Sequence, residues 1–415
     1  MKPITNCRSC HAGDLKEFLD LGKQYLSDFR TDNSKTKKYP LVAVFCDECK
    51  LVQLKHTTPQ DEMYHDRYGF KSGISDSIKK DLDDIVLNAF QYKNDPNMWL
   101  DIASNDGTLL SFVPSSITRF GVDPVSFLCI EAEEKADFII NDYFSAELFD
   151  PATKFDVITS ISCFYDMPDP NKFVEDVKQV LHPKGVWIIQ QNYLLPTMQL
   201  SAVDNFCHEH LEYYTLLSLE NLLERYGLEV NEVRTSMVNG GSIRTVVSNK
   251  GTFEVDKSVG IQRQKELDYC LDDEETYHEF ANSVFNELNR LRRFIVEFDA
   301  DDKDIAILAA STRGATIWQS AGINDSLIKY AVERNPAKVD KFFTAIGTPI
   351  VSEAQFRKDL PEYAVIGPWF FADEIIERER QYVEDGGSLI IPLPKVIIVN
   401  KNNIDEYLSH LLTNL

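Results

Sequence analysis

Met98-Trp-Leu-Asp-Ile-Ala103, running into Ser104-Asn-Asp-Gly107 and then into Leu109, Leu110 and Phe112, decides the fold. A short apolar run, a turn built from small and polar residues, and apolar positions at helical spacing read as strand, tight loop and helix. The same unit recurs downstream. Phe120-Gly-Val-Asp123, Phe138-Ile-Ile-Asn-Asp142 and Phe155-Asp-Val-Ile-Thr-Ser160 read as further strands. Phe173 to Leu181 has helix spacing, His182-Pro-Lys-Gly185 reads as a turn, and Val186-Trp-Ile-Ile-Gln190 reads as a fifth strand. Alternation of this kind predicts a doubly wound parallel sheet that binds its ligand at the carboxyl ends of the strands.

The residues at those ends narrow the ligand. A dinucleotide pyrophosphate needs several bare amides in a glycine-rich loop, yet Ala103 and Asn105 stand where two of the glycines would be, and only Gly107 remains. A tight turn beside a carboxylate suits the amino-acid half of S-adenosylmethionine instead, which places Asp101, Ala103, Asn105, Asp106 and Gly107 around the donor. Asp123 is positioned to accept from ribose hydroxyls, and Asn141 and Asp142 to meet the adenine amino group. Each is also an ordinary strand-terminating residue when taken singly.

The N-terminal segment carries a separate signal. Cys7-Arg-Ser-Cys10 and Cys46-Asp-Glu-Cys49 supply four soft ligands, the set a structural, tetrahedral zinc ion takes up. A redox pair is the competing reading, without a thioredoxin-like context to support it. The stretch between the pairs contains Phe18, Leu19, Leu21, Tyr25, Leu26 and Phe29, enough for a small hairpin or helix packed within this lobe. The chain has 415 residues and a formal net charge of -23, a balance that argues against nucleic acid as a partner. The cysteine usage fits a reducing compartment. Met1 to Cys10 has no apolar leader, and no apolar run reaches membrane-spanning length, so a cytoplasmic protein with no membrane partner is expected.

Taken in order, the two CxxC pairs, Ile102-Ala-Ser-Asn-Asp-Gly107, His208-Glu-His210, Asn239-Gly-Gly-Ser-Ile-Arg244 and the stretch Pro361 to Pro394 resemble the sugar C-methyltransferases that act on nucleotide-linked 4-keto-deoxyhexoses. The resemblance implies an α/β chain of three parts. These are a small zinc-binding domain (1–60), a class I, Rossmann-like S-adenosylmethionine domain (61–296) and a C-terminal Rossmann-like α/β domain that binds the nucleotide sugar (297–415). It implies zinc and S-adenosylmethionine as cofactors, a nucleotide-diphosphate sugar as partner, and a monomer or weak oligomer. His210 matches the family's base, Glu209 its acidic neighbour, and Tyr68 a tyrosine beside the sugar. In this scheme His210 removes a proton from C3 of the 4-ketosugar, and the resulting enolate takes the methyl group. A tyrosine hydroxyl directed at the ketone oxygen stabilises that enolate. Cys207 departs from the pattern, which has tyrosine there.

Other positions carry two readings. His208 is assigned to substrate, with a structural hydrogen-bonding role as the alternative; a metal held by His-x-His is a second alternative. Asn239, Gly241, Ser242 and Arg244 form a turn rich in amides followed by a cation, suited to phosphate or simply to a hairpin. Tyr213 and Tyr214 read as core, and Ser218 to Gly227 as a capped packing helix. Ile261 to Val296 reads as helices leading into the last domain. There Asp304–Ala309, Ile328–Val332, Tyr363–Ile366 and Ser388–Ile391 read as strands. The resemblance puts Ser311, Thr312 and Arg313 near a phosphate, with Glu333, Arg334 and Asn335 at a later strand end; Arg334 can equally pair with a surface carboxylate. O-methylation of a sugar and a non-enzymatic sugar-nucleotide scaffold are the competing functions.

Overall fold

The computed structural model describes residues 2–34, 36–59, 62–63 and 71–412, with side chains to 409. The chain forms two compact units, each discontinuous in sequence. The first comprises Met1–Glu17, Ala43–Pro196 and Glu209–Thr276; the second comprises Phe18–Val42, Thr197–His208 and Tyr277–Leu415.

The first unit is built on a seven-stranded sheet. Its spatial order is Leu228–Ser236, Ser242–Asn249, Leu181–Asn192, Phe155–Ile161, Met98–Ile102, Thr118–Val122 and Phe138–Ile140. The last five run parallel, and Ser242–Asn249 is antiparallel to both neighbours. Met98–Ile102 lies where the strand order reverses, the position at which open α/β sheets leave a crevice. Its residues Trp99, Leu100 and Ile102 are buried, because helices cover both faces of a parallel sheet. The helix Asp76–Tyr92 packs Leu82, Ile85, Val86 and Ala89 against Trp99, Val186 and Ile188 on one face.

His182-Pro-Lys-Gly185 does not interrupt the fifth strand, which starts at Leu181. The pairing shifts register between Phe155↔Leu181 and Val157↔Val186, so the Pro-Gly stretch is accommodated as an irregularity inside the strand. A Cβ at Gly185 would lie 2.9 Å from the Phe155 carbonyl, so only glycine allows this approach. The later helix is Leu216–Glu224. Its cap is Thr215, and Ser218 is the reciprocal partner three residues in.

The cysteine-bearing lobe belongs to the first unit in its Cys7 and Cys46–Cys49 turns. Ala43–Phe45 pairs with Val52–Leu54, which pairs on its other side with Glu212–Tyr213. The stretch between the cysteine pairs forms the strands Leu15–Tyr25, Phe29–Arg30 and Lys38–Cys46; the first and last are neighbours in the sheet that also holds Val52–Leu54, and the middle one leaves it. Phe29–Arg30 pairs with Phe342–Phe343 at the edge of the second unit's sheet, where Phe29 and Phe343 stack at 5.8 Å.

That second sheet has eight strands. Five are parallel, in the spatial order Ser388–Ile391, Tyr363–Ile366, Ile305–Leu308, Tyr330–Glu333 and Thr348–Ser352. Thr348–Ser352 was not legible as a strand because Pro349 interrupts the apolar pattern; the proline is exposed, next to the short edge strands, where it costs little. The helix Glu274–Ala300 places Tyr277, Phe280, Val284, Leu288 and Leu291 on one buried face.

Candidate active site and cysteine centre

At the carboxyl ends of the first unit's strands lies a cavity of about 320 Å³, lined among others by Ala103, Asp123, Asp142, Cys163, Asp166 and Phe173. A smaller one of about 40 Å³ is lined by Asp101, Asn105, Asp81, Gln190 and Asn239. The two share Ser72, Ala103, Asn105, Ile161 and Ser162 as walls. Ala103 and Asn105 adopt left-handed backbone conformations, with φ of 58° and 52°. The turn that a dinucleotide loop makes with glycines is made here with residues that pay a small steric cost.

Asp123 is 5 % exposed. Its Oδ2 accepts from the Asn105 amide and its Oδ1 from the Val125 amide, both at 2.9 Å. Each oxygen retains a second lone pair, which suits a pair of ribose hydroxyls. Asp101 is nearly fully buried, and its Oδ1 accepts from Thr159 Oγ1 at 2.7 Å. Burial pushes its carboxyl up to about 7. Asp142 lines the larger cavity while its own carboxylate accepts from the Tyr143 amide. Asn141 accepts from Ser126 Oγ and donates to the Asp123 carbonyl, so it holds the second strand end in place. Asp106 is turned to the loop itself: it accepts from the Gly73 amide at 3.1 Å and from Thr108 Oγ1 at 2.6 Å. Gly107, at φ 73°, starts the following helix, and a Cβ there would lie 3.0 Å from Ala132.

Ser72 and Gly73 went unnoticed in the sequence. The Ser72 amide donates to Asn105 Oδ1 at 2.9 Å, so this segment is pinned to the Ala103–Gly107 loop at two consecutive amides. A Cβ at Gly73 would stand 2.5 Å from Asp106 Oδ2. Tyr68, a few residues earlier, lies outside the described residues.

His210 is 9 % exposed. Its Nδ1 faces Asn192 Nδ2 at 3.4 Å, and its ring packs edge-on to Tyr165 with centroids 4.5 Å apart. Asn192 ends the fifth strand and Tyr165 follows the fourth, so the same sheet that shapes the larger cavity also places this histidine. Neither partner carried a sequence signal. His208, counted with the second unit, is buried; its Nε2 lies 3.2 Å from the Tyr39 carbonyl, and burial lowers its pKa to about 4. With Nε2 protonated, the ring donates to that carbonyl. Cys207 is buried as well.

The remaining candidates divide. Arg244 is buried, and its fork is occupied: Nε donates to Gln190, and the two terminal nitrogens to Asp84 and Asp81. Asn239 reaches the smaller cavity, Gly241 sits at φ 121° against Pro196, and Ser242 Oγ donates to the Val238 carbonyl. In the second unit Ser311 caps the helix Thr312–Ser320. Arg313 lies 2.6 Å from Asp204 and stacks over Phe370, and Trp369 Nε1 also donates to Asp204. Arg334 is exposed, 4.0 Å from Glu353.

The four cysteines converge. All four sulfurs lie within 4.8 Å of one another, with Cys7–Cys49 at 3.6 Å and Cys10–Cys46 at 3.5 Å. Sulfurs bound at about 2.3 Å to a tetrahedral zinc ion stand a little under 4 Å apart, so the set fits that metal. Gln53 Nε2 donates to Cys7 Sγ at 3.1 Å, an outer contact suited to a metal-bound thiolate. Among the described residues no other cluster of metal-ligating side chains forms.

Comparison with known proteins gives the class: the chain is an S-adenosylmethionine-dependent C-methyltransferase with a zinc-binding N-terminal region. Residues 7–64 match a family of proposed zinc binding domains, 76–233 a methyltransferase domain, and 237–394 a C-methyltransferase C-terminal domain. Among individual proteins the chain is similar to the C-methyltransferase NovU of Streptomyces niveus, 27 % identical over 412 residues that cover 96 % of this chain and 98 % of that one. Solved structures include an S-adenosylmethionine-dependent methyltransferase from Clostridium acetobutylicum (18 % identity, 43 % of this chain and 94 % of that chain, TM-score 0.36). Another is the plantazolicin methyltransferase BpumL in complex with SAH (17 %, 41 % and 82 %, TM-score 0.33). At that level of superposition neither likeness bears on function. No described helix is long and apolar enough to cross a membrane.

Proposed function

We propose that the enzyme methylates C3 of a nucleotide-diphosphate-linked 4-keto-deoxyhexose, with His210 as the general base. The observation that carries this reading is the placement of a mostly buried imidazole by Asn192, at a strand end, and Tyr165, in the turn after the neighbouring strand, next to the larger cavity. A C–H proton becomes removable near neutral pH when the carbanion is delocalised into an adjacent ketone, and histidine is the side chain whose basicity suits the task. Asn192 Nδ2 faces His210 Nδ1 as a donor; turning the Asn192 amide over, so that its oxygen accepts from Nδ1–H, leaves the Nε2 lone pair to take the proton. S-adenosylmethionine, when bound, supplies an electrophilic sulfonium methyl for that carbon.

Asp101 is assigned to the donor's ammonium group, Asp123 to its ribose and Asp142 to its adenine side, while Asn105, Asp106 and Gly107 shape the loop. Glu209 and Tyr68 are assigned to the sugar beside His210. Asn239 is assigned to substrate through its side-chain amide, with Gly241 shaping the turn beside it, and Ser311 and Arg313 to the nucleotide. Similarity to NovU supports C-methylation over transfer to oxygen. Incubation of enzyme and ketosugar in deuterated water without donor tests the mechanism: deuterium is expected at C3 and is lost in His210→Ala. A substrate that is methylated yet never exchanges would sink the enolate route.

A further inference from the structure

Glu212 is 1 % exposed, and among the described residues neither of its carboxylate oxygens has a hydrogen-bond partner. An unpaired buried carboxylate is costly, and the group nearest to compensating it is Arg8, whose Nε lies 3.7 Å from Glu212 Oε1. Arg8 stands between the ligands Cys7 and Cys10, and is itself buried. Its Nη1 donates to the Leu54 carbonyl at 2.5 Å, its Nη2 to Thr57 Oγ1 at 2.9 Å, and its backbone amide to Gln53 Oε1 at 3.0 Å. The same Gln53 holds Cys7 Sγ through its other amide atom, and is the direct cross-strand partner of Glu212. The backbone continues the connection: the Leu54 amide donates to the Leu211 carbonyl, and the Leu211 amide to the carbonyl of Tyr165, the ring packed on His210.

A buried ion pair adds little stability relative to apolar residues of similar volume, but it fixes one arrangement of the segments that carry it. Here those segments are the first cysteine turn and the strand that begins two residues after His210. We propose that Arg8 and Glu212 are positioning residues that register the His210 segment on the cysteine lobe, so that the metal centre sets the placement of the imidazole. This rests on His210 being the base.

The test is a double-mutant cycle on the full-length, zinc-loaded enzyme, with a thymidine-diphosphate-linked 4-keto-6-deoxyhexose as the probe. Four quantities are read: zinc per chain, unfolding midpoint, donor-free deuterium exchange at C3, and the ring resonances of His210 in histidine-labelled protein. Glu212→Gln and Arg8→Met are each expected to keep one zinc. Each lowers the exchange rate about ten- to a hundred-fold at unchanged KM, as a misplaced base does, and shifts the His210 resonances. Arg8→Met with Glu212→Gln strands no charge, so the double variant regains the midpoint lost by the single ones but not the exchange rate. Chelation of zinc from the wild type moves the His210 resonances in the same direction. Exchange that recovers together with the midpoint, or a Glu212→Gln variant that exchanges like the wild type while His210→Ala is dead, would overturn the proposal alone. Full exchange in His210→Ala would overturn the base assignment and the proposal with it.

Discussion

Asp101 should couple donor binding to protons. It is 3 % exposed, hydrogen-bonded to Thr159 Oγ1, and pushed by burial from an ordinary 3.8 up to about 7, with Asp123 adding to the rise. Because the folded value lies above the unfolded one, the native state holds a proton that the unfolded chain releases. The resulting stability is fully present below about pH 4 and is lost as the pH climbs to about 7. A shift of roughly three pK units at 1.36 kcal/mol each sets a ceiling of about 4 kcal/mol on that loss. The donor's ammonium group favours the ionised carboxylate. Binding at about pH 6 should therefore expel close to one proton, binding at about pH 8 close to none, and affinity should rise up to about ten-fold per unit between them. Calorimetric titration of S-adenosylmethionine into the apo enzyme, in buffers of different ionisation enthalpy, counts those protons directly. Asp101→Asn should bind weakly without pH dependence, and its stability should decline less between about pH 4 and 7. Equal proton release at both pH values, or an unchanged profile in Asp101→Asn, would refute the assignment.

Other changes have defined outcomes. Gly73→Ala forces a Cβ against Asp106 Oδ2 and should weaken S-adenosylmethionine about ten-fold by displacing the loop, read by the same calorimetry. Asn192→Leu removes the group facing His210 Nδ1 and should lower turnover about ten- to a hundred-fold with donor affinity unchanged, while Asn192→Asp retains most of the rate. Asp204→Ala leaves Arg313 without the carboxylate 2.6 Å away and should destabilise the protein by about 3 kcal/mol, measured by denaturant unfolding. Chelation of the cysteine-bound metal should lower the unfolding midpoint by at least about 5 °C, because the four converged thiols lose the ion that holds them together.

The parallel sheets were legible because their strands are buried on both faces and read as unbroken apolar runs at regular spacing; Met98–Ile102 and Ile305–Leu308 are examples. The cysteine centre was legible because metal ligation demands particular atoms at short separations. Partnerships across long stretches of chain were not. Phe29–Arg30 looks like part of the lobe in which it is embedded, and only the Phe343 ring, far along the chain, shows which sheet it joins. Asn192 is one amide among several at a strand end until the fold brings His210 against it.

Arginine shows the limit most sharply. A cation after an amide-rich turn looks available to a phosphate, and Arg244 has that setting. Its guanidinium nevertheless meets Asp81 and Asp84 on the helix Asp76–Tyr92, some 160 positions earlier in the chain, and Gln190 on the neighbouring strand. A sequence presents a side chain's charge but not the charges that answer it. In a chain with 66 acidic and 43 basic residues, a buried cation is met by a carboxylate more readily than it is left for a ligand. The turn before Arg244 shows the same thing: the Gly240 and Gly241 amides already donate to the Met237 and Val238 carbonyls, so an amide-rich turn, like a cation, can be filled from within its own unit.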